Sequence, residues 1–263
     1  MSAIILQEEI VHYEFLGRGR PLIFLHDWVG SWRYWIPSMQ SAAVSYRAYA
    51  LDLWGFGDTA KRESGYDLEA QVELLDSFLE KLGIPKVALI GHGLGAVVGL
   101  MYAARFPSYV NRVMAISLPV GDVTINPRLY RDAPSELAAW LVNDTPVGEP
   151  VRAEAAKNDS NAVHTSAQQL DSVTLLDLAL NLSTPCLLVH GQTDPLITLN
   201  DPLQNVYNLP QNTHHILFEE SGHYPMLTEP SKFHRLMQDF LSLESGESPQ
   251  NLQLKEEWKR RVR

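Results

Sequence analysis

Short apolar, β-branched runs alternate along this chain with longer stretches whose apolar positions recur every three or four residues. That alternation yields a mostly parallel sheet covered by helices on both faces, an α/β fold. The pattern predicts strands at 9–16, 21–26, 46–51, 87–91, 113–117, 186–190 and 215–218, with helices between them. The clearest helix follows Asp67, an N-cap residue, where Leu68, Val72, Leu75, Phe78, Leu79 and Leu82 form one apolar stripe that Gly83 ends. Between Val120 and Thr184 the alternation breaks, and residues 121–184 read as a small helical cap inserted into a core of residues 1–243. Its helical pieces are expected at 135–142, 149–157 and 161–170, separated by proline and glycine. Residues 244–263, opening on Glu-Ser-Gly-Glu-Ser-Pro-Gln, read as a linker to a mobile charged tail.

Composition narrows the class. A chain of 263 residues with 45% hydrophobic content buries a substantial core as one domain with an insertion. A net charge of -10 argues against a nucleic-acid surface, which needs clustered cations to displace counterions from phosphates. The tail gathers Lys255, Lys259, Arg260, Arg261 and Arg263 against Glu256 and Glu257; a solvated end is the favoured reading, and docking to an acidic partner the rival one. Cys186, the one cysteine, lies in the apolar strand Pro185-Cys186-Leu187-Leu188-Val189 and reads as a core residue. The longest apolar run, 96–104, is about half the length that crosses a bilayer, and the N-terminus has no basic leader. A cytoplasmic protein with no metal and no cofactor is expected, acting on or binding a small molecule.

The stretch Gly91-His92-Gly93-Leu94-Gly95 has the outline of a G-x-S-x-G nucleophile elbow, with glycine where the attacking serine belongs. Other segments accompany it in order: His26-Asp27-Trp28-Val29-Gly30-Ser31-Trp32 after a strand, Asp52-Leu53-Trp54-Gly55-Phe56-Gly57-Asp58, Gly191-Gln192-Thr193-Asp194-Pro195-Leu196-Ile197, and Ser221-Gly222-His223-Tyr224-Pro225. On these the chain resembles the α/β-hydrolase fold superfamily from about Ile4 to Leu243, as a serine hydrolase with its nucleophile replaced. The resemblance implies Asp194 as the triad acid and His223 as the base, with Asp122 a rival acid. It implies oxyanion donors at the backbone N–H of Leu94 and, by choice, of Trp28. It places Asp27, Trp54 and His92 around the substrate, although Asp27 stands where the family usually has glycine, and a carboxylate there opposes developing negative charge. His26 is expected to orient its loop. Trp28, Trp32, Trp35 and Trp54 suit an apolar acyl pocket or the core equally.

Loss of a triad serine costs on the order of 10^6 in turnover. Three accounts remain open for Gly93. The chain is a disarmed enzyme of an esterase-like lineage acting on a small, partly apolar ester; or a pseudoenzyme that binds a ligand or partner; or a His–Asp dyad doing lyase or cofactor-free oxygenase chemistry without a covalent intermediate. The space left by the serine is expected to hold a water that His223 activates. Gly93→Ser is expected to lower stability, because the elbow centre takes positive φ, while raising activity. Chemistry on epoxides and halides is not expected, since relatives that perform it place aspartate at the elbow centre.

Overall fold

The computed structural model describes residues 2–201, 203, 208–244 and 246–255. Among the described residues ten strands form: β1 (Ser2–Leu6), β2 (Glu9–Leu16), β3 (Arg20–Leu25), β4 (Tyr46–Leu51), β5 (Val87–His92), β6 (Val110–Ile116), β7 (Val123–Ile125), β8 (Cys186–Gly191), β9 (Ile197–Leu199) and β10 (Thr213–Phe218). Eight of them make one sheet in the order β1-β2-β4-β3-β5-β6-β8-β10. The β1–β2 and β2–β4 pairs are antiparallel and the rest parallel. β5 and β8 are buried along their whole length, as apolar runs in a sheet covered on both faces must be.

Helices follow the strands: α1 (Ile36–Ala42), α2 (Leu68–Lys81), α3 (Leu94–Arg105), α4 (Pro134–Leu141), α5 (Glu149–Ala155), α6 (Ser160–Gln168), α7 (Leu175–Asn181), α8 (Pro225–Thr228) and α9 (Pro230–Ser242). α2 begins where its sequence says, with the Asp67 carboxylate accepting from the Ala70 N–H at 2.8 Å, and it buries the stripe Leu68, Val72, Leu75, Phe78 and Leu79. Chain order reverses at β3, whose neighbours β4 and β5 lie on opposite sides. In an open parallel sheet the crevice beyond the carboxyl ends of such strands is where sites form. Here that crevice receives the loop after β3 and the turn after β5.

Helices α4 to α7 lie between β7 and β8 in sequence and are tied to core loops by buried polar pairs. Trp28 Nε1–H donates to Ser166 Oγ at 3.1 Å, Ser31 Oγ–H to Glu154 Oε2 at 3.0 Å, and Asn158 Nδ2–H to the Gly30 carbonyl at 2.9 Å. β7 and β9 pair into a small antiparallel ribbon beside this segment. Residues 246–255 differ from the expected mobile linker. Gln250 Nε2–H donates to the Pro210 carbonyl at 2.9 Å and the His214 ring bonds the Leu252 carbonyl at 3.1 Å, so this stretch packs back on the core. Lys255 pairs with Asp239 at 2.6 Å; the other basic residues of the tail lie outside the described residues. Among the described residues no helix is long and apolar enough to cross a membrane.

Candidate active site

Gly93 links β5 to α3 with φ 48° and ψ -111°, a conformation that L side chains rarely adopt and glycine enters at little cost. The turn is tight because helix and sheet touch. A Cβ on Gly95 would lie 2.4 Å from the Leu25 carbonyl oxygen, so only glycine lets α3 start this close to β3. The elbow backbone is therefore present, pointing residue 93 into the crevice.

The pair expected from sequence meets above it. His223 Nδ1–H donates to Asp194 Oδ2 at 2.8 Å, both groups buried. Asp194 is held rigidly: its Oδ1 accepts the N–H groups of Leu196 and Ile197 at 2.8 and 3.0 Å, and its Oδ2 also accepts Ser117 Oγ–H at 2.9 Å. Asp122 is elsewhere, accepting from Asn200 at 2.9 Å.

Asp27 departs most from expectation. Its carboxylate does not merely line the site; Oδ2 accepts His223 Nε2–H at 3.0 Å, and Oδ1 lies 1.7 Å from where a Cβ on Gly93 would be. The volume that a side chain at residue 93 would enter is thus filled by an aspartate from the β3 loop, where a water was expected. Asp27 is fixed at both ends of its backbone, its N–H donating to Tyr34 Oη at 2.8 Å and its carbonyl accepting His26 Nδ1–H at 2.7 Å. His26 orients the loop as anticipated, and its Nε2 accepts the Leu53 N–H at 3.0 Å. The carboxylate also sits at the N-terminal end of α3, where the helix dipole favours negative charge.

These contacts set the charges. Burial disfavours an ionised His223, but Asp194 and Asp27 outweigh it and raise its pKa to about 10. Burial likewise works against ionised Asp27 and Asp194, and the His223 charge overcomes it, holding both carboxyls below their usual range. The resting arrangement is carboxylate, imidazolium, carboxylate.

His92 and Trp54, expected at the substrate, are both buried, and the His92 ring lies against that of His223 with centroids 4.6 Å apart. His92 Nδ1 faces Tyr34 Oη at 3.1 Å and its Nε2–H donates to the His223 carbonyl at 2.8 Å, while burial lowers its pKa to about 3 and keeps the ring neutral. Trp54 is covered by the Gly65 turn, with Gln71 Oε1 accepting its backbone N–H at 3.0 Å. Trp28 is buried beneath Ser166, and its backbone N–H faces the Asp27 carboxylate; Leu94 opens α3 directly after Gly93. Ligand atoms of Asp27, His92 and His223 lie within 4.8 Å of one another, a spacing that suits a metal ion, yet the imidazole nitrogens are already engaged by the hydrogen bonds just given. Cys186 is buried in β8 with its thiol pushed up to about 12, far from thiolate character. A separate cleft opens between Arg20, Tyr46, Arg112 and Thr184, at the amino ends of the strands.

Sequence reasoning missed that Asp27 reaches His223. The signal was present as two departures from one pattern, a carboxylate where glycine is usual and a glycine where serine is usual.

Comparison with known proteins agrees with the fold. The chain is 25% identical over 268 residues to a putative carbamate hydrolase of Stutzerimonas stutzeri, covering 90% of this chain and 98% of that protein. It is 24% identical over 254 residues to a pimeloyl-[acyl-carrier protein] methyl ester esterase of Vibrio parahaemolyticus, covering 88% and 97%. A soluble epoxide hydrolase of a Corynebacterium species is 32% identical over 111 residues, 42% of this chain and 39% of that protein. Among solved structures, a serine-to-glycine mutant of N-acyl homoserine lactonase bound to N-hexanoyl homoserine lactone superposes with TM-score 0.79 at 21% identity, covering 92% of this chain and 99% of that one. The model of the alpha/beta hydrolase family matches residues 22–236, and the chain belongs to that family.

Proposed function

We propose that the protein is a hydrolase of a small, partly apolar substrate, of the ester or acyl class its esterase relatives take, in which the serine route is closed. The observation that carries this reading is the His223–Asp194 pair, hydrogen-bonded at 2.8 Å and facing the elbow. A binder has little reason to keep an oriented imidazole there, whereas a fixed tautomer is what proton transfer needs. In this reading the neutral form of His223, a small fraction at rest because its pKa is raised to about 10, takes a proton from the attacking water and then gives it to the leaving oxygen as the tetrahedral adduct collapses. The N–H of Leu94 is assigned as an oxyanion donor, the N–H of Trp28 serving as the second only when the Asp27 carboxylate it faces at rest moves aside, and residues 121–184 as the cap that excludes solvent.

Without a serine, turnover of activated esters should sit far below that of an intact triad, by about 10^6 if no other nucleophile acts. The test is hydrolysis of p-nitrophenyl butyrate by the unmodified protein and by His223→Ala. The reading expects slow turnover that the substitution abolishes, and equal rates for the two proteins would refute it.

A second reading has its own support. Asp27, His223 and Asp194 are all buried, and the carboxylate fills the space a serine would use, as suits a ligand-binding pseudoenzyme. Under that reading no ester is turned over, and a short-chain lactone raises the melting temperature without being consumed.

A further inference from the structure

At the end of the sheet opposite the catalytic crevice, positive charge collects without being neutralised. The registers of four neighbouring strands set Tyr46 of β4 level with Arg20 of β3, and Ala88 of β5 level with both Leu22 of β3 and Arg112 of β6. Paired residues of parallel strands share a face, as do positions two apart, so Tyr46, Arg20, Ala88 and Arg112 all project to one side. Ala88 ends at its Cβ and leaves the room between the two arginines open. Lys86 stands just before β5 at the same end. Together these residues line a cleft of about 810 Å3 whose far wall is the turn after α9, with Glu244 and Glu247.

The cations of this cleft are not paired. Arg112 donates from Nη1–H to the Phe240 carbonyl and from Nη2–H to the Leu243 carbonyl at 2.9 Å, and Arg20 Nη2–H donates to Tyr46 Oη at 3.2 Å. Carbonyl and phenol oxygens take hydrogen bonds but cancel no charge. Among the described residues no carboxylate lies within ion-pair distance of Arg20, Lys86 or Arg112. The half-buried Arg112 carries the cost: burial draws its pKa below the ordinary value, with the Arg20 charge adding to the effect and Tyr46 and Glu247 opposing it. Glu247 is turned onto its own turn, where Oε2 accepts the Glu244 N–H at 3.0 Å. On a chain of net charge -10, a concave surface with more cations than carboxylates is a local reversal of sign.

We propose that this cleft binds a small phosphate-bearing molecule, its phosphate seated between Arg20 and Arg112 and reached by Lys86. Guanidinium forks match the geometry of a phosphate group, and both arginines keep N–H donors uncommitted. A phosphate there cancels the Arg112 charge where water does so least. The cleft has the size of small-molecule sites, roughly 300–1,000 Å3, and the amides of Asn111 and Gln211 on its lining give the remainder of the ligand polar partners. The strand ends hold Arg20 and Arg112 in place before any ligand arrives, which limits the ordering cost of binding. Glu244 and Glu247 set the cleft against a flat anionic membrane, and the charge of the whole chain sets it against a nucleic acid. A free small molecule is the occupant that fits. No residue of the cleft belongs to the catalytic crevice, so the proposal is independent of the hydrolase reading.

The test titrates the full chain with inorganic pyrophosphate at constant ionic strength, following heat of binding and melting temperature. The proposal expects saturable binding and a melting temperature that rises with pyrophosphate. Arg20→Gln, which gives up one hydrogen bond to Tyr46, should weaken binding about tenfold or more while melting, without ligand, where the unmodified protein does. If that variant melts early, the decision passes to Lys86→Gln, an exposed side chain that should weaken binding several-fold without touching the fold. Arg47→Gln is the control, since its guanidinium lies over Phe15 and Tyr49 away from the cleft, and it should bind as the unmodified protein does. Absence of saturable binding at millimolar pyrophosphate would overturn the proposal. So would unchanged affinity in the folded cleft variants, or an equal loss in Arg47→Gln, which would reduce the effect to general attraction of charge.

Discussion

At residue 93 the backbone keeps the conformation of a turn that projects a side chain, and the volume it projects into belongs to residue 27. The two positions are sterically one choice: a Cβ at 93 and the Asp27 carboxylate cannot coexist without movement. The expectation that Gly93→Ser raises activity therefore needs revision. The substitution should lower stability by about 2 kcal/mol or more, from positive φ together with overpacking, and give no ester turnover, as denaturant melts and a p-nitrophenyl ester assay would report. A stable and active single mutant would place Asp27 elsewhere. The charges at the site make a second claim at this scale. His223 is raised from 6.5 to about 10, so its ion pairs stabilise the fold fully below pH 6.5 and lose that effect as pH rises through about 10. His92 is lowered from 6.5 to about 3, so an unfolded chain takes up a proton first and stability falls on acidification below 6.5. Urea midpoints across pH should form a dome, and His223→Gln should shrink its alkaline limb. An alkaline limb unchanged in that variant would contradict the assignment of charge.

Among the elements, legibility followed length and local chemistry. β2 and β4 run over the expected residues because their β-branched and aromatic positions have no helical alternative, and α2 announces both its cap and its apolar stripe. β1 was missed: Ser2–Leu6 alternates exposed and half-buried positions at the sheet edge and acquires its strand character from pairing with β2. β7 and β9, at three residues each, are defined only by one another. Of the helices between β7 and β8, α4, α5 and α6 were placed within a few residues and α7 was not foreseen, and the fastening of the segment was invisible, since it joins loops far apart in sequence. Glu154 carries much of that fastening, accepting from Ser31 at 3.0 Å and Arg33 at 2.7 Å while pairing with Lys157 at 3.1 Å. Glu154→Ala should cost about 1–3 kcal/mol and speed amide exchange in α5 and α6 more than in α2; uniform acceleration would argue against a locally fastened segment. Asp67→Ala should cost about 1 kcal/mol through the lost cap, measurable in the same melts.

For the molecule as a whole, the order of strands placed the site before any side chain was considered. Reversal at β3 opens the crevice, the β3 loop and the β5 elbow enter it from adjacent strands, and the loops after β8 and β10 deliver Asp194 and His223. Asp194 and His223 were legible because their short sequence contexts resemble a family pattern. The tie between Asp27 and His223 was not, because it spans 196 positions and depends on three-dimensional closure alone. The central claim is that the carboxylate of residue 27 fills the volume of a side chain at residue 93, and its most direct test puts at both positions the residues that the resemblance leads one to expect. The account predicts that Asp27→Gly combined with Gly93→Ser is labelled at residue 93 by a fluorophosphonate, while Gly93→Ser alone is not. Equal labelling of the single and double variants would contradict it.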